Sequence, residues 1–253
     1  MNLSNFYDLS YSDLSDFISS NFSLEKKKTS MRTNQIWKFV YKKGLRETSK
    51  FSNISSELKD NMEKSFNFNR TNIAEKKISK DGTIKWLLKL SDNNLVETVF
   101  IPSGKRGTLC VSSQVGCTLN CKFCHTGTQL MVKNLTTHEI INQILVAKDE
   151  LNDWGSQKKI TNIVYMGMGE PFYNYDNVKK SISILRERNG LDYSPKKITV
   201  STAGISNEIM KAADEIGTYL ALSLHAPTDE LREKIMPINK KFKIKNLIES
   251  CSY

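Results

Sequence analysis

Gly116-Cys117-Thr118-Leu119-Asn120-Cys121-Lys122-Phe123-Cys124-His125-Thr126-Gly127 is the stretch that most restricts what this chain can become. Its three cysteines follow the spacing C-x3-C-x2-C, which scattered core thiols do not show. Three thiolates on one short loop can hold three corners of a metal site. No fourth cysteine lies nearby: Cys110 precedes the loop on a strand-like run and Cys251 is far downstream. A closed structural zinc site takes four ligands, so an incomplete set leaves a position free for chemistry. A thiolate-rich loop also suits an iron–sulfur cluster with one iron left open. On the residues alone three readings stand: a cluster, a zinc site, or plain structural cysteines.

Around this loop, strand-like and helix-like runs alternate from Gly107 onward, the pattern of a parallel sheet with crossover helices. Strands are expected at 108–112, 160–166, 198–202 and 219–224, with helices beginning near Thr136, Asn177 and Ser206. A further helix follows Thr228, and a last one covers 244–251. Thr136 with Glu139 three residues on forms a capping box, ahead of Ile140, Ile141, Ile144 and Leu145 at helical spacing. In α/β barrels the chemistry gathers at the C-terminal ends of the strands. Met166-Gly167-Met168-Gly169-Glu170-Pro171, Ser201 and Ser223-Leu224-His225-Ala226 all fall there. Taken one at a time, these are a turn, a capping serine and a core histidine.

Residues 1–72 read as a small helical domain. One helix covers 12–21 with Leu14, Phe17 and Ile18, and a second covers 33–43 with Ile36, Trp37, Val40 and Tyr41, stopped by Gly44. Ser55 or Ser56 caps a third helix bearing Leu58, Met62 and Phe66. Its lysines, from Lys26-Lys27-Lys28 to Lys50, could grip phosphates, and Trp37, Phe39 and Tyr41 could stack on bases. The aromatics fit one apolar stripe, which favours a core role for them. Residues 73–102 form a β-hairpin connector, with a turn at Asp81-Gly82 and a strand over 95–101 that carries Glu97 and is broken by Pro102. Residues 103–253 are the catalytic body.

Composition narrows the partners. Thirty-seven Lys and Arg against 27 Asp and Glu give a formal charge of +10, which favours a polyanion and nucleic acid first, or else merely a lysine-rich surface. Five cysteines in 253 residues are no disulfide framework. No apolar run approaches the roughly 20 residues that span a bilayer. Met1 to Asn5 lacks the charged start and apolar stretch of a leader. A cytoplasmic protein without a membrane partner is expected.

The cysteine loop resembles the signature of radical S-adenosylmethionine (SAM) enzymes. Cys110-Val111-Ser112-Ser113-Gln114-Val115-Gly116, Asn134-Leu135-Thr136, the Met166–Pro171 segment, Ser223-Leu224-His225-Ala226 and Met236-Pro237-Ile238-Asn239 narrow the resemblance. They are similar to the adenine-C2 methyltransferases of 23S rRNA and tRNA, the dual-specificity RNA methyltransferase family, from about Glu97 to Asn239. The resemblance implies a [4Fe–4S] cluster on Cys117, Cys121 and Cys124, with SAM on the open iron. Phe123 would lie beside the adenine of SAM, and Gly169, Glu170, Ser201, Ser223, Leu224 and His225 would contact SAM. It gives Glu97 the part of proton acceptor. Cys110 would be the resolving cysteine, which frees the RNA by closing a disulfide on a methyl-accepting cysteine. In such proteins that acceptor, and the last barrel strands, lie beyond residue 253. The fold implied is α/β: a partial, C-terminally truncated radical SAM parallel β/α barrel, preceded by the helical domain and the hairpin region. The implied partners are 23S rRNA, tRNA and a flavodoxin-like electron donor, with the chain acting as a monomer. Enzymes that methylate C8 of the same adenine are the near rival, against which Val115 and Pro171 weigh. A zinc-dependent RNA-binding module, or a cluster-bearing remnant without turnover, is the non-catalytic alternative.

Overall fold

The strand-like runs over 108–112, 160–166, 198–202 and 219–224 each supply a strand of one sheet, and the amphipathic runs between them become helices on its outer side. The computed structural model describes all residues except Met1, Asn2, Ser23, Leu24 and Ser156, so the first two positions read for a leader lie outside the described residues. The chain opens with strand β1 (Ser4–Asn5) and helices α1 (Tyr11–Phe22), α2 (Lys26–Trp37) and α3 (Ser56–Ser65), and β2 (Phe66–Asn67) returns to pair parallel with β1. Four longer strands follow: β3 (Asn72–Ile78), β4 (Ile84–Lys89), β5 (Leu95–Ser103) and β6 (Arg106–Cys110). A two-stranded ribbon, β7 (Gln114–Val115) with β8 (Lys133–Asn134), brackets the cysteine loop. Then come α4 (Thr137–Leu151), β9 (Asn162–Tyr165), α5 (Tyr175–Arg186), β10 (Ile198–Thr202), α6 (Ser206–Glu215), β11 (Tyr219–Leu222), α7 (Asp229–Ile235) and α8 (Ile244–Ser252).

One seven-stranded sheet runs β11-β10-β9-β6-β5-β4-β3. Its β6, β9, β10 and β11 are mutually parallel, as the alternating pattern requires, and β5, β4 and β3 continue it as an antiparallel meander. The hairpin strands are thus part of the barrel sheet itself. Outer-face residues such as Leu109, Ile163, Tyr165 and Val200 are buried under the helices. Helix α4 starts where the capping box placed it: Thr136 Oγ1 accepts from the Glu139 N–H, and Glu139 accepts from the Thr136 N–H. Its Ile140, Ile141, Ile144 and Leu145 are fully buried, each contributing about 1.5–3 kcal/mol.

Several expected boundaries move. Helix α2 begins at Lys26 rather than near Thr33, because Lys26 to Lys28 are exposed and carry no apolar marker of the period. It then widens into a π-helical stretch, Lys38–Lys42, before Gly44 ends it with φ +70°. Phe66 leaves the third helix for β2. Strand β5 passes through Pro102 to Ser103, since beyond Phe100 it has no partner on its β4 side and needs no N–H there. The strands expected to reach Ser112, Met166 and Leu224 end at Cys110, Tyr165 and Leu222, where the chain turns into the loops of the site.

Trp37, Phe39 and Tyr41 are buried, with Trp37 and Tyr41 ring centroids 4.5 Å apart and Phe39 stacked on Phe51 at 5.1 Å. They form a core and present no face to a base. The helical segment is tied to α4: Asp8 accepts from the His138 backbone N–H and pairs with its ring, both at 2.8 Å, and Arg70 binds Asp149 at 2.9 Å.

Candidate active site

The register of the sheet gathers one group of predicted residues. Cys110 lies opposite Val99 on β5, and Glu97 is two positions along on the same face. Cys110 is also level with Val164, which is level with Thr199, and Ser201 follows on that side of β10. Glu97, Cys110 and Ser201 therefore share the inner face, opposite the helices. The Cys110 thiol is pushed up to about 11 by burial, so it stands protonated. Glu97 is half-exposed, accepts from Lys85 Nζ at 2.7 Å, and its carbonyl accepts from Ser112 Oγ at 2.7 Å.

The cysteine loop leaves β7 at Gly116. A side chain there would strike the Leu130 carbonyl at 2.0 Å, and φ is +77°, so only glycine lets the two ends of the loop close. Cys124 N–H donates to the Cys121 carbonyl at 3.0 Å, and Lys122 N–H donates to the Ile235 carbonyl at the end of α7 at 2.9 Å. Burial raises the Cys117 thiol. Burial also pushes Cys121 up to about 11, helped by the neighbouring Cys117, Cys124 and Glu170 and opposed by Arg232. The three thiols thus lie within reach of one another's charge, and a cationic centre beside them would relieve the cost of ionising them. Among the described residues, no three His, Cys, Asp or Glu side chains converge tightly enough for a single metal ion.

The Met166–Pro171 segment is braided onto the strand end beside the loop. Gly167 N–H donates to the Val111 carbonyl at 3.0 Å, Met168 N–H to Ser112 Oγ at 2.9 Å and Glu170 N–H to Gln114 Oε1 at 2.8 Å. Gly169 sits at φ +94° with the Gln114 side chain where its Cβ would be, 2.4 Å away. Glu170 is buried, and its two oxygens accept from the Phe172 N–H at 3.1 Å and the Ala203 N–H at 2.7 Å. Burial lifts its carboxyl to about 6 despite these bonds. Ser223 N–H extends β11 by bonding the Thr202 carbonyl at 2.9 Å, and Leu224 and Ala226 close tight turns around His225, which has φ +57°. The exposed His225 ring lies 4.2 Å from that of Phe123, joining the cysteine loop to the β11 loop.

Two buried polar side chains that sequence reasoning missed hold this assembly. Arg232 is fully buried and donates to the carbonyls of Leu224 at 3.0 Å, Ser223 at 3.1 Å and Ala203, and to Asn239 Oδ1 at 2.8 Å. It lies close enough to Cys121 for the two charges to interact. Gln143 accepts from Ser112 N–H at 2.8 Å and Thr98 Oγ1 at 2.8 Å, and donates to the Ser112 carbonyl at 2.9 Å. The available signal was a glutamine inside the apolar stripe of α4, where nothing apolar called for it.

A sequence profile of the radical SAM superfamily matches residues 111–252. The dual-specificity RNA methyltransferase RlmN of a Chelativorans species is 45% identical over 249 residues, covering 92% of this chain and 61% of that protein. The protein of the same name from Nitrobacter winogradskyi is 47% identical over 233 residues, covering 87% of this chain and 59% of its own length. The crystal structure of a radical SAM methyltransferase from Sphaerobacter thermophilus superposes with a TM-score of 0.87 at 33% identity, over 98% of this chain and 71% of that one. The chain spans about three-fifths of the length of the curated relatives it matches.

Proposed function

This chain belongs to the radical SAM superfamily, and from that membership we propose that it carries the core of an RNA methyltransferase acting on C2 of adenosine in 23S rRNA and tRNA. The observation that carries the reading is the gathering of Cys117, Cys121 and Cys124 on one loop, within reach of one another's charge and of Glu170 and Arg232. The relatives' printed names support the RNA substrate. A bound [4Fe–4S] cluster and SAM supply one-electron cleavage of a sulfonium, chemistry that reaches a carbon lying between two ring nitrogens and too electron-poor for ordinary alkylation.

The residues divide the remaining work. Cys117, Cys121 and Cys124 would hold the cluster. Phe123 and His225 form one aromatic wall for the adenine of SAM, and Ser201, Ser223 and Leu224, at the ends of β10 and β11, would supply its remaining contacts. Glu170 locks the Gly167–Gly169 turn against β10, which sets the backbone that receives the amino acid end of SAM. Gly169 allows the close approach. Cys110, kept as a thiol by burial, is the resolving cysteine, and Glu97 on the same face takes up a proton. The methyl-carrying thiol of such a route has no counterpart beside Cys110: Cys251 is exposed on α8. Complete methyl transfer is therefore assigned to the longer protein that the relatives represent. A flavodoxin-like donor supplies the electron, and the protein acts as a monomer in the cytoplasm. Among the described residues no helix is long and apolar enough to cross a membrane.

Anaerobic reconstitution with iron and sulfide tests the reading. The expected protein is brown, binds SAM and releases 5′-deoxyadenosine on reduction. A colourless protein with stoichiometric zinc and no SAM cleavage would overturn it. Nucleoside mass spectrometry of RNA treated with the longer protein separates the C2 product from the C8 product.

A further inference from the structure

A cleft of about 590 Å³ opens where the helical segment meets the catalytic body. Its walls are the π-helical turn that ends α2, the end of α4, and the loops that lead into β9 and β10. Those two strands are parallel, so the cleft lies at their N-terminal ends, whereas the cysteine loop and its partners lie at the C-terminal ends. Helix α4 runs from one end to the other, and its 15 residues set the two about 22 Å apart.

Five lysines line the cleft, Lys38, Lys42, Lys43, Lys148 and Lys158, against the two carboxylates of Asp153 and Asp192. Asp153 is buried and spent: its Oδ2 accepts from Lys148 Nζ at 3.0 Å and from the Ile160 N–H at 3.3 Å. Asp192 is exposed and is the open anion of the lining. Lys158 Nζ donates to the carbonyls of Leu191 at 2.8 Å and Asp192 at 3.1 Å, and Lys42 and Lys148 lie near enough for their charges to oppose its own. Lys38, Lys42 and Lys43 are exposed and form no ion pair with the described residues. Like charges crowded into one cleft repel, and an anion seated among them removes that cost.

The rings of the cleft say which part of an anion it takes. The Trp154 indole is already engaged: Lys148 Nζ sits 4.8 Å from its ring centroid, and Nε1 donates to Asp149 at 2.9 Å. It also packs so closely on Gly44 that a Cβ there would stand 2.4 Å away. Tyr41, the other ring, is buried in the helical core. The lysines, and not a ring, are therefore what the cleft presents. Such a surface holds phosphates and reads no base, unlike a stacking platform for single strands.

We propose that this cleft holds backbone phosphates of the RNA substrate, at the end of the molecule away from the reacting adenosine. The proposal rests on the RNA-methyltransferase reading and names a second contact area for it. Only an RNA long enough to extend past α4 reaches both ends, so the cleft adds affinity for a whole folded RNA and none for an isolated loop.

The test reads binding to the reconstituted chain by fluorescence anisotropy, with a fluorescein-labelled tRNA transcript and with each of its stem–loops alone. The double variant Lys38→Gln, Lys42→Gln removes two exposed charges from a helix end. It should weaken tRNA binding about tenfold and flatten the slope of log Kd against log salt by about 1.5. Every isolated stem–loop should bind it as it binds wild type. Asp192→Asn should move the other way: it removes the open carboxylate, and asparagine tolerates the φ of +53° found there. Binding of the tRNA should tighten about threefold, a gain that a damaged fold does not produce. Equal tRNA affinity and slope in wild type and the double variant overturns the cleft's role alone, as does an equal loss on an isolated stem–loop or weaker binding by Asp192→Asn. Failure of the wild type to bind any of the RNAs overturns the RNA reading and this inference with it.

Discussion

The helical segment and the cysteine loop are secured by opposite means. Phe6, Trp37, Tyr41, Phe66 and Phe68 fill the first with aromatic contacts, such as Phe6 on Phe68 at 4.7 Å. The loop has little apolar payload of its own. It is fixed by bonds from its backbone to the rest of the chain, as at Lys122–Ile235, and by Arg232, which spans three carbonyls of the neighbouring strand-end loops. Apolar packing tolerates small shape changes, whereas a site of directed bonds is lost when one is removed. The helical segment should therefore answer substitution with a graded loss of stability, and the loop with loss of its ligand.

The largest expected effect lies in the loop. Cys117→Ala, Cys121→Ala and Cys124→Ala should each abolish iron binding, because a cluster held by three thiolates cannot spare one. Cys110→Ala should keep its iron. Iron and sulfide assays after anaerobic reconstitution decide the matter, and iron lost from Cys110→Ala but kept by one loop variant would mean the ligands are wrongly assigned. Next in size is Trp37→Ala, which should cost about 3–5 kcal/mol in urea unfolding while leaving the iron per folded chain unchanged. Iron lost in step with that destabilisation would erase the contrast between the two regions. Arg232→Met should fall between the regions in character. It strands buried carbonyls at a cost of about 2–3 kcal/mol and, unlike Trp37→Ala, it should also lower iron retention on dialysis.

The same contrast governs what could be read before the fold was known. Helix α4 was legible because its capping box and its apolar period agree, and β10 was found at its observed limits because alternation and flanking turns coincide. The start of α2 was hidden, since Lys26 to Lys28 bear no apolar mark. Within the site, the cysteine spacing spoke for itself, whereas Glu97, Ser201 and His225 stood out only through resemblance. Their approach depends on pairings such as Val99 with Cys110, which join distant parts of the chain. Arg232 and Gln143 were missed for a related reason: apart from Asn239 and Thr98, their partners are backbone carbonyls and amides, which carry no letter in a sequence. Asn142 differs from Gln143 by one position and one methylene, and only the fold shows that one is bonded and the other is not.

The smallest effect expected is at the seam where the helical segment meets α4. Asp8 Oδ1 accepts from the His138 N–H in the first turn of α4, and Oδ2 pairs with the His138 ring. Burial pushes the Asp8 carboxyl up, but the hydrogen bonds and charge of His138, with Lys180, more than offset it and hold the group below its ordinary 3.8. A carboxyl lowered in the folded state binds fewer protons there than in the unfolded chain. Its contribution is therefore present above pH 3.8 and is lost as the pH falls through the lower folded value. Asp8 is partly exposed, so solvent screening limits the contribution to about 1 kcal/mol. Asp8→Asn should thus lower stability by about that amount at pH 6, and the gap to wild type should close as the pH drops below 3.8. Urea unfolding of both proteins at a series of pH values isolates this pair, because the remaining carboxylates titrate alike in the two. A gap that stays constant down to the lowest pH would show that the seam is held by packing, as the helical segment is, and not by this bond.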